Sequence, residues 1–286
     1  FLDTPRQCKF LLAAFFVVAF LILGYYFPQS FRMEYPLKVV TSPFEGKPEP
    51  TTAGGVLILI MGMAFSLFLY EKRKNTKIIY LLILFLSILP FFGTLSRTSY
   101  FAAFIALIFF AFFTRKKWIL LLIPLFIGLA PIILPSTVWA RISYTWTHRS
   151  AWIFDESTME RILVWKKVWW VIKRSPFVGY GAGFLNVIDS CYARIIIESG
   201  LLGFAVFIWI FVRLYKIAIS LYNKEEGFIK GFTLGYLLIL TALLTHGISA
   251  ITFFIVRIVE FFWILTGILV FFYLGKKDEK MPLLQE

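Results

Sequence analysis

The chain has 286 residues, of which 60% are apolar and 20% aromatic, and its mean hydropathy is +0.82. Soluble domains are usually ~45–50% apolar, so this composition excludes an ordinary soluble protein and predicts an integral membrane protein. The net charge of +13 does not imply a nucleic-acid partner, because basic residues in a membrane protein mark its topology.

Eight apolar runs approach the length needed to cross the ~30 Å hydrocarbon core of a bilayer. In chain order they cover residues 10–27, 52–70, 78–95, 99–113, 118–135, 194–213, 231–250 and 252–274. We therefore predict an all-α integral membrane protein with about eight transmembrane helices. Five spans fall in residues 1–135, a large loop follows at 136–193, and three spans and a tail occupy 194–286.

Basic segments occur at every second connection between these runs. They are residues 3–9, 71–77, 114–117, 213–230 and 275–280. The positive-inside rule makes that side cytoplasmic. The sequence thus predicts a multi-pass membrane protein whose loop 136–193 lies on the non-cytoplasmic side.

The segment ERILVWKKVWWVIKR (160–174) predicts an amphipathic helix within that loop, ended by Pro176. At ~100° per residue its apolar arc gathers Val164, Trp165, Val168, Trp169 and Ile172. Arg161 falls inside this arc. Two interpretations remain open: the side chain snorkels from the first turn, or its guanidinium binds a phosphate beneath the helix.

Several ionisable residues fall in the outer, non-cytoplasmic halves of the predicted spans, where charge is costly. They are Arg97, Arg194, Glu198, His246, Arg257 and Glu260. Pairing within a helix would account for Arg194 with Glu198 and for Arg257 with Glu260. Arg97 and His246 are left over, which favours a polar cavity beneath the loop.

Two further segments carry candidate site residues. In SPFVGYGAGF (175–184), glycines that include Gly181 form either a plain turn or a backbone cradle for an anion. In DSCYARIIIESGLLG (189–203), Asp189 lies at the mouth of the expected cavity, where a carboxylate could accept a proton. The lone histidines form no metal-ligand cluster, so we expect no cofactor.

The order of these segments resembles the C-terminal region of the O-antigen ligase/polymerase superfamily. The matching segments are FEGKPEPTTAGGVL (44–57), TLSRTSY (94–100), ERILVWKKVWWVIKRSPFVGYGAGF (160–184) and DSCYARIIIESGLLG (189–203). The resemblance implies a multi-pass glycosyltransferase of the bacterial inner membrane whose loop 136–193 and active site face the periplasm. Its donor would be a glycan on undecaprenyl diphosphate, without metal or nucleotide sugar. The acceptor would be lipid A–core in a ligase or a second lipid-linked glycan in a polymerase. Further spans are then expected before Phe1.

Residue roles follow from this resemblance as hypotheses. Arg161 and Arg97, with Arg141 as a weaker candidate, would stabilise the departing diphosphate. Asp189 would position or deprotonate the acceptor, with Glu198 and His246 as alternatives. Substrate-binding candidates comprise Arg141, Gly181, Tyr192, Arg194, Glu198 and His246.

Asp189 stands where ligases tend to carry a histidine, which favours a polymerase. A transporter or flippase for an anionic lipid-linked oligosaccharide and a non-catalytic scaffold remain as alternatives. The sequence lacks the internal repeat that the transporter would predict.

Overall fold

A computed structural model describes residues 4–31, 39–43, 49–116, 156–184 and 189–277. The helices are α1 (Pro5–Gln29), α2 (Pro50–Tyr70), α3 (Lys74–Gly93), α4 (Arg97–Phe113), α5 (Glu156–Arg174), α6 (Cys191–Lys224), α7 (Gly227–His246) and α8 (Val256–Lys277), with a 3-10 turn at Thr252–Phe254. Within these ranges there is no strand. Helices α1, α2, α3, α6, α7 and α8 are long and apolar enough to cross a membrane. The predicted all-α integral membrane fold is confirmed.

Helices α2 and α7 form the centre of the bundle and are its most enclosed spans. Glycines allow the two backbones to approach closely. A Cβ atom added to Gly62 would lie 2.9 Å from Ile239, and one added to Gly235 would lie 2.9 Å from the sulfur of Met63. Any larger residue at these positions would therefore separate the two central helices.

Most predicted spans overlap helices of the structure, and three need comment. The run 99–113 lies in α4, which has 17 residues and is shorter than the six described helices that are long enough to cross a membrane. The run 118–135 lies outside the described residues. The run predicted as 194–213 is wrong at its end, because α6 continues to Lys224. Leu214, Ala218 and Leu221 recur at helical spacing and are buried, while the intervening basic residues made this segment look like a loop. The connection to α7 is only residues 225–226.

The helices alternate in direction, so the bundle has two distinct ends. Helices α2, α4, α6 and α8 begin at the end that carries Arg97, and we call it the Arg97 end. Residues 39–43 also pack there: the Val40 N–H donates to the Gly93 carbonyl at 2.9 Å, and the hydroxyls of Tyr26 and Ser42 lie 2.8 Å apart. The opposite end carries the basic connections around Arg73, Arg115 and Lys224.

Candidate functional site

A chain of buried polar side chains crosses the Arg97 end of the bundle. The Ser99 hydroxyl donates to Ser96 Oγ at 2.8 Å and lies 3.1 Å from His246 Nε2. On the other side of the ring, His246 Nδ1 lies 2.7 Å from the Thr252 hydroxyl. A hydroxyl group thus lies within hydrogen-bond distance of each ring nitrogen of His246. We call these four residues the polar network.

The polar network fits because α2 offers a glycine at this level. A Cβ atom on Gly54 would lie 2.1 Å from Ser99 Oγ. The adjacent Gly55 allows close packing of a different helix, because a Cβ atom there would lie 2.3 Å from Ile258 Cδ1. Ser99, His246 and Thr252 have no exposed surface. Since buried polar groups are costly unless paired, the closed chain of hydrogen bonds specifies one arrangement of α2, α4 and α7.

The network fixes the turn of chain that carries Arg97. Ser96 is the N-cap of α4 and accepts from the Ser99 N–H, so Arg97 is the first residue of the helix. The Thr98 hydroxyl lies 2.8 Å from that of Ser249, beyond the end of α7. Arg97 therefore lies between Ser96, which is bonded to Ser99 within α4, and Thr98, which is bonded to Ser249, and Arg97 is itself only partly buried.

The start of α6 is joined to the same region. The Cys191 N–H donates to the carbonyls of Gly247 and Ala250, each at 3.0 Å. The Tyr192 hydroxyl donates to the Leu244 carbonyl at 2.5 Å, so this predicted substrate-binding hydroxyl is already hydrogen-bonded within the bundle. Asp189 is exposed and immediately precedes Ser190, the N-cap of α6.

Helix α6 opens at Gly200, and residues 176–181, which we call the strap, fill the opening. Gly200 has φ 68° and ψ −169°, which is not helical. The carbonyls of Ile197 and Glu198 accept from Tyr180 and Gly181, both at 2.9 Å. In exchange, the amides of Leu201 and Leu202 donate to the carbonyls of Pro176 and Phe177 at 2.8 and 3.3 Å. The strap thus supplies the hydrogen bonds that the broken helix lacks.

The hydrogen bonds between the strap and α6 show what the backbone amides of the glycine-rich turn bind. Gly179, Gly181 and Gly183 all have positive φ, which favours glycine. The Gly181 N–H donates to the Glu198 carbonyl, and the Gly183 N–H donates to Glu198 Oε1 at 3.2 Å. These amides serve the protein itself, so any binding of substrate at Gly181 would use atoms other than its N–H.

The ion pair predicted on α6 is confirmed. Arg194 Nε lies 3.0 Å from Glu198 Oε1, and the guanidinium also lies 4.3 Å from the centre of the Phe254 ring. Glu198 is thereby held between Arg194 and Gly183. The pairing of Arg257 with Glu260 stays a prediction.

Helix α5 packs on the first turns of α6 through a valine face. Val164, Val168 and Val171 are buried in a cluster with Ala193, Ile196 and Ile197. The expected apolar arc is therefore divided, because Trp165 and Trp169 are 42% and 61% exposed. Position 161 precedes Val164 by three residues and Val168 by seven, which places it on the same side of α5 as the valines. The Arg161 side chain and all of Arg141 lie outside what the structure describes.

The predicted residues thus fall into two connected groups. In the first group, His246 is a member of the polar network and Arg97 directly follows Ser96, another member. The second group lies at the start of α6 and comprises Asp189, Tyr192, Arg194 and Glu198. Three members of the polar network were not among the predicted site residues: Ser96, Ser99 and Thr252. Ser96 and Ser99 were inside the quoted TLSRTSY segment, whereas nothing in the local sequence marks Thr252. Among the described residues no group of His, Cys, Asp and Glu could hold a metal ion.

Comparison with known proteins gives one match. Residues 82–208 match the family model described as Wzy_C, O-antigen ligase. This segment belongs to the O-antigen ligase/polymerase superfamily. No curated protein and no solved structure matches the chain.

The superfamily segment begins within α3 and ends within α6. It includes Arg97, α5, the strap and the Arg194–Glu198 pair, whereas His246 on α7 lies beyond it. The match supports a coarse function, the O-antigen-ligase type of glycan processing at a membrane, and this family implies lipid-linked glycans as substrates.

Proposed function

We propose that the protein is a membrane glycosyltransferase that transfers or polymerises a glycan carried on undecaprenyl diphosphate. The observation that carries this proposal is the superfamily match, whose residues include Arg97 in a turn fixed by the polar network. The positive-inside rule supports a periplasmic Arg97 end, because the basic connections lie at the opposite end.

In the proposed reaction an acceptor hydroxyl attacks the anomeric carbon of the donor sugar. The bond from that carbon to the diphosphate oxygen breaks, and undecaprenyl diphosphate leaves with added negative charge. Fixed cations beside the departing group stabilise the transition state more than the ground state. We assign this role to Arg97 and Arg161, because a guanidinium presents two N–H groups that match two phosphate oxygens.

The polar network supports the role of Arg97 on energetic grounds. Electrostatic stabilisation is most effective when the charged group does not reorganise during the reaction. Ser96 and Thr98, the neighbours of Arg97, are hydrogen-bonded to Ser99 and Ser249, so the backbone that carries the guanidinium is held in place. Arg161 would approach from α5, whose valine face contacts α6 close to the Arg194–Glu198 pair.

Asp189 is our candidate for the group that accepts the acceptor's proton. It is exposed at the start of α6, and Ser190 and Cys191 directly after it are anchored to Ala193 and to the α7 turn. His246 is less suited to this role, because it is fully buried and neighbouring hydroxyls occupy both of its ring nitrogens. An aspartate at this position supports a polymerase over a ligase.

The test is transfer by purified protein in detergent, with an undecaprenyl-diphosphate-linked glycan as donor. A micelle has no two sides, so a flippase gives no product in this assay, whereas a transferase lengthens the glycan. Removal of one transition-state donor typically costs about 10²–10³ in rate. We expect Arg97→Ala and Arg161→Ala each to lose that much, and the lysine variants to recover only part of it.

Lys166→Ala is the matched control, because Lys166 is an exposed cation on the same helix as Arg161. It should transfer glycan at the unsubstituted rate. Offering either a second lipid-linked repeat or lipid A–core as acceptor separates polymerase from ligase. Wild-type rates for both alanine variants would refute the assigned roles.

A further inference from the structure

The strap carries the two most exposed apolar side chains of the segment that follows α5. Phe177 is 63% exposed and Val178 is 72% exposed. The carbonyl of Phe177 accepts from Leu202, so both residues lie beside the point where α6 resumes after Gly200. Leu202, Val206 and Trp209 continue this surface down one face of α6, at 59%, 56% and 62% exposure. The exposed side chains of the strap therefore extend the exposed apolar face of α6, a helix long enough to span a membrane.

The charges on α6 limit how far the helix can rise out of the membrane. Its uncharged run extends from Ser199, next to Glu198, to Val212, next to Arg213. At 1.5 Å per residue that run is ~21 Å long, shorter than the ~30 Å hydrocarbon core. The opening at Gly200 thus lies at the hydrocarbon boundary or below it, and so does the strap that fills it.

Irregular backbone is tolerated at that depth only when its polar groups have partners. The exchange of hydrogen bonds between the strap and α6 meets this requirement on both sides. Glycine is needed at both contact points: a Cβ atom on Gly200 would lie 2.3 Å from the Phe177 carbonyl oxygen, and one on Gly179 would lie 2.7 Å from the Gly200 nitrogen. The strap and α6 therefore approach each other as closely as two backbone segments can.

Aromatic and basic residues border the strap in the way that is typical of a membrane–water interface. The Trp170, Tyr180 and Phe184 rings form a continuous stack, with centroids 5.6 and 4.5 Å apart. The Arg174 guanidinium lies over the Trp170 ring, 4.2 Å from its centre, and the Lys173 ammonium lies 5.3 Å from the Trp169 ring centre. These cations are exposed and available to lipid phosphates.

We propose that the strap is inserted into the lipid leaflet at the Arg97 end, with Phe177 and Val178 in the hydrocarbon and the aromatic stack at headgroup level. This inference concerns the membrane surface and does not rest on the proposed transferase activity. It gives α5 a fixed depth, because the strap joins the end of that helix to the opening in α6.

The experiment is electron paramagnetic resonance of single spin labels on the full chain in lipid nanodiscs. The label is placed in turn at Val178→Cys, at Trp209→Cys on the spanning face of α6, and at Lys167→Cys on the exposed polar side of α5. Oxygen concentrates in hydrocarbon, and a water-soluble nickel chelate stays outside it. The natural Cys8 and Cys191 are both buried, and labelling of the unsubstituted protein measures their contribution.

We expect position 178 to match position 209, with at least severalfold greater relaxation by oxygen than by the nickel chelate, and position 167 to show the reverse. Phe177→Cys should repeat the result for position 178. If the label at 178 responds to the nickel chelate as position 167 does, the strap lies in water and the proposal is overturned. If neither reagent reaches it, the strap packs on protein, which also overturns it. Neither outcome would bear on transferase activity.

Discussion

The two ends of α4 bury different kinds of side chain. At the Arg97 end, hydroxyls and one imidazole form the polar network, with hydrogen bonds of 2.7–3.1 Å between side chains. At the other end, aromatic rings dominate. The ring centres of Phe110 and Phe65 lie 5.1 Å apart, and those of Phe113 and Tyr222 lie 4.9 Å apart. A buried polar chain tolerates little change because each member depends on the next, whereas apolar packing accepts substitutes of similar volume. The contrast indicates that the Arg97 end is specialised and that the other end serves stability.

His246→Ala should produce the largest loss of stability. It removes a fully buried ring and leaves the hydroxyls of Ser99 and Thr252 without their partner. Cavity formation and the unpaired groups together should cost about 2–5 kcal/mol. Thermal unfolding of the purified protein in detergent measures the change. His246→Gln, which can still donate and accept, should recover part of it, and equal losses for both variants would argue against the hydrogen bonds.

Gly54→Ala should have the next largest effect. The added methyl group would lie 2.1 Å from Ser99 Oγ, so α4 must shift or the Ser99–His246 contact must break. Overpacking of this kind costs about 1–3 kcal/mol. We expect lower thermal stability together with slower glycan transfer, because the shifted turn carries Arg97.

Gly24→Ala on α1 is the matched control for that substitution, since nothing lies within 4 Å of the added atom. It should leave both the unfolding temperature and the transfer rate unchanged or slightly improved. If Gly54→Ala behaves in the same way, the close fit of α2 against the polar network contributes to neither stability nor transfer.

Tyr70→Phe should have the smallest effect, because it removes one hydrogen bond from the aromatic end. The Tyr70 and Tyr222 hydroxyls lie 3.0 Å apart and are only partly buried. Losing that bond should cost about 0.5–1.5 kcal/mol, visible in thermal unfolding, without any change in transfer rate. A large loss of transfer here would remove the distinction between the two ends.

Much of the fold could be predicted from apolar length alone, since a run such as 52–70 has few alternatives to a spanning helix. The end of α6 was missed because Arg213, Lys216 and Lys224 suggested a loop, although Leu214, Ala218 and Leu221 form a buried stripe. The break in α6 at Gly200 could not be predicted from the local sequence, because its partner is the strap, more than fifteen residues earlier in the chain.

The candidate site was predictable only in part. Charges within spans drew attention to Arg97, His246 and the Arg194–Glu198 pair because charge is costly there. The hydroxyls that hold His246 carry no such signal, since Ser99 and Thr252 acquire their role only when α4 and the 3-10 turn meet. For the same reason the sequence did not show that Tyr192 and Gly181 bond to α7 and α6.

The most direct test is to measure the binding of undecaprenyl diphosphate to the purified protein by native mass spectrometry. Charge-assisted hydrogen bonds contribute ~1.5–3 kcal/mol, so loss of the Arg97 guanidinium should weaken binding about tenfold or more. The account predicts that loss for Arg97→Ala and no change for Lys116→Ala, an exposed cation just beyond the other end of α4. Equal affinity in Arg97→Ala and the unsubstituted protein would contradict a diphosphate site at the Arg97 end.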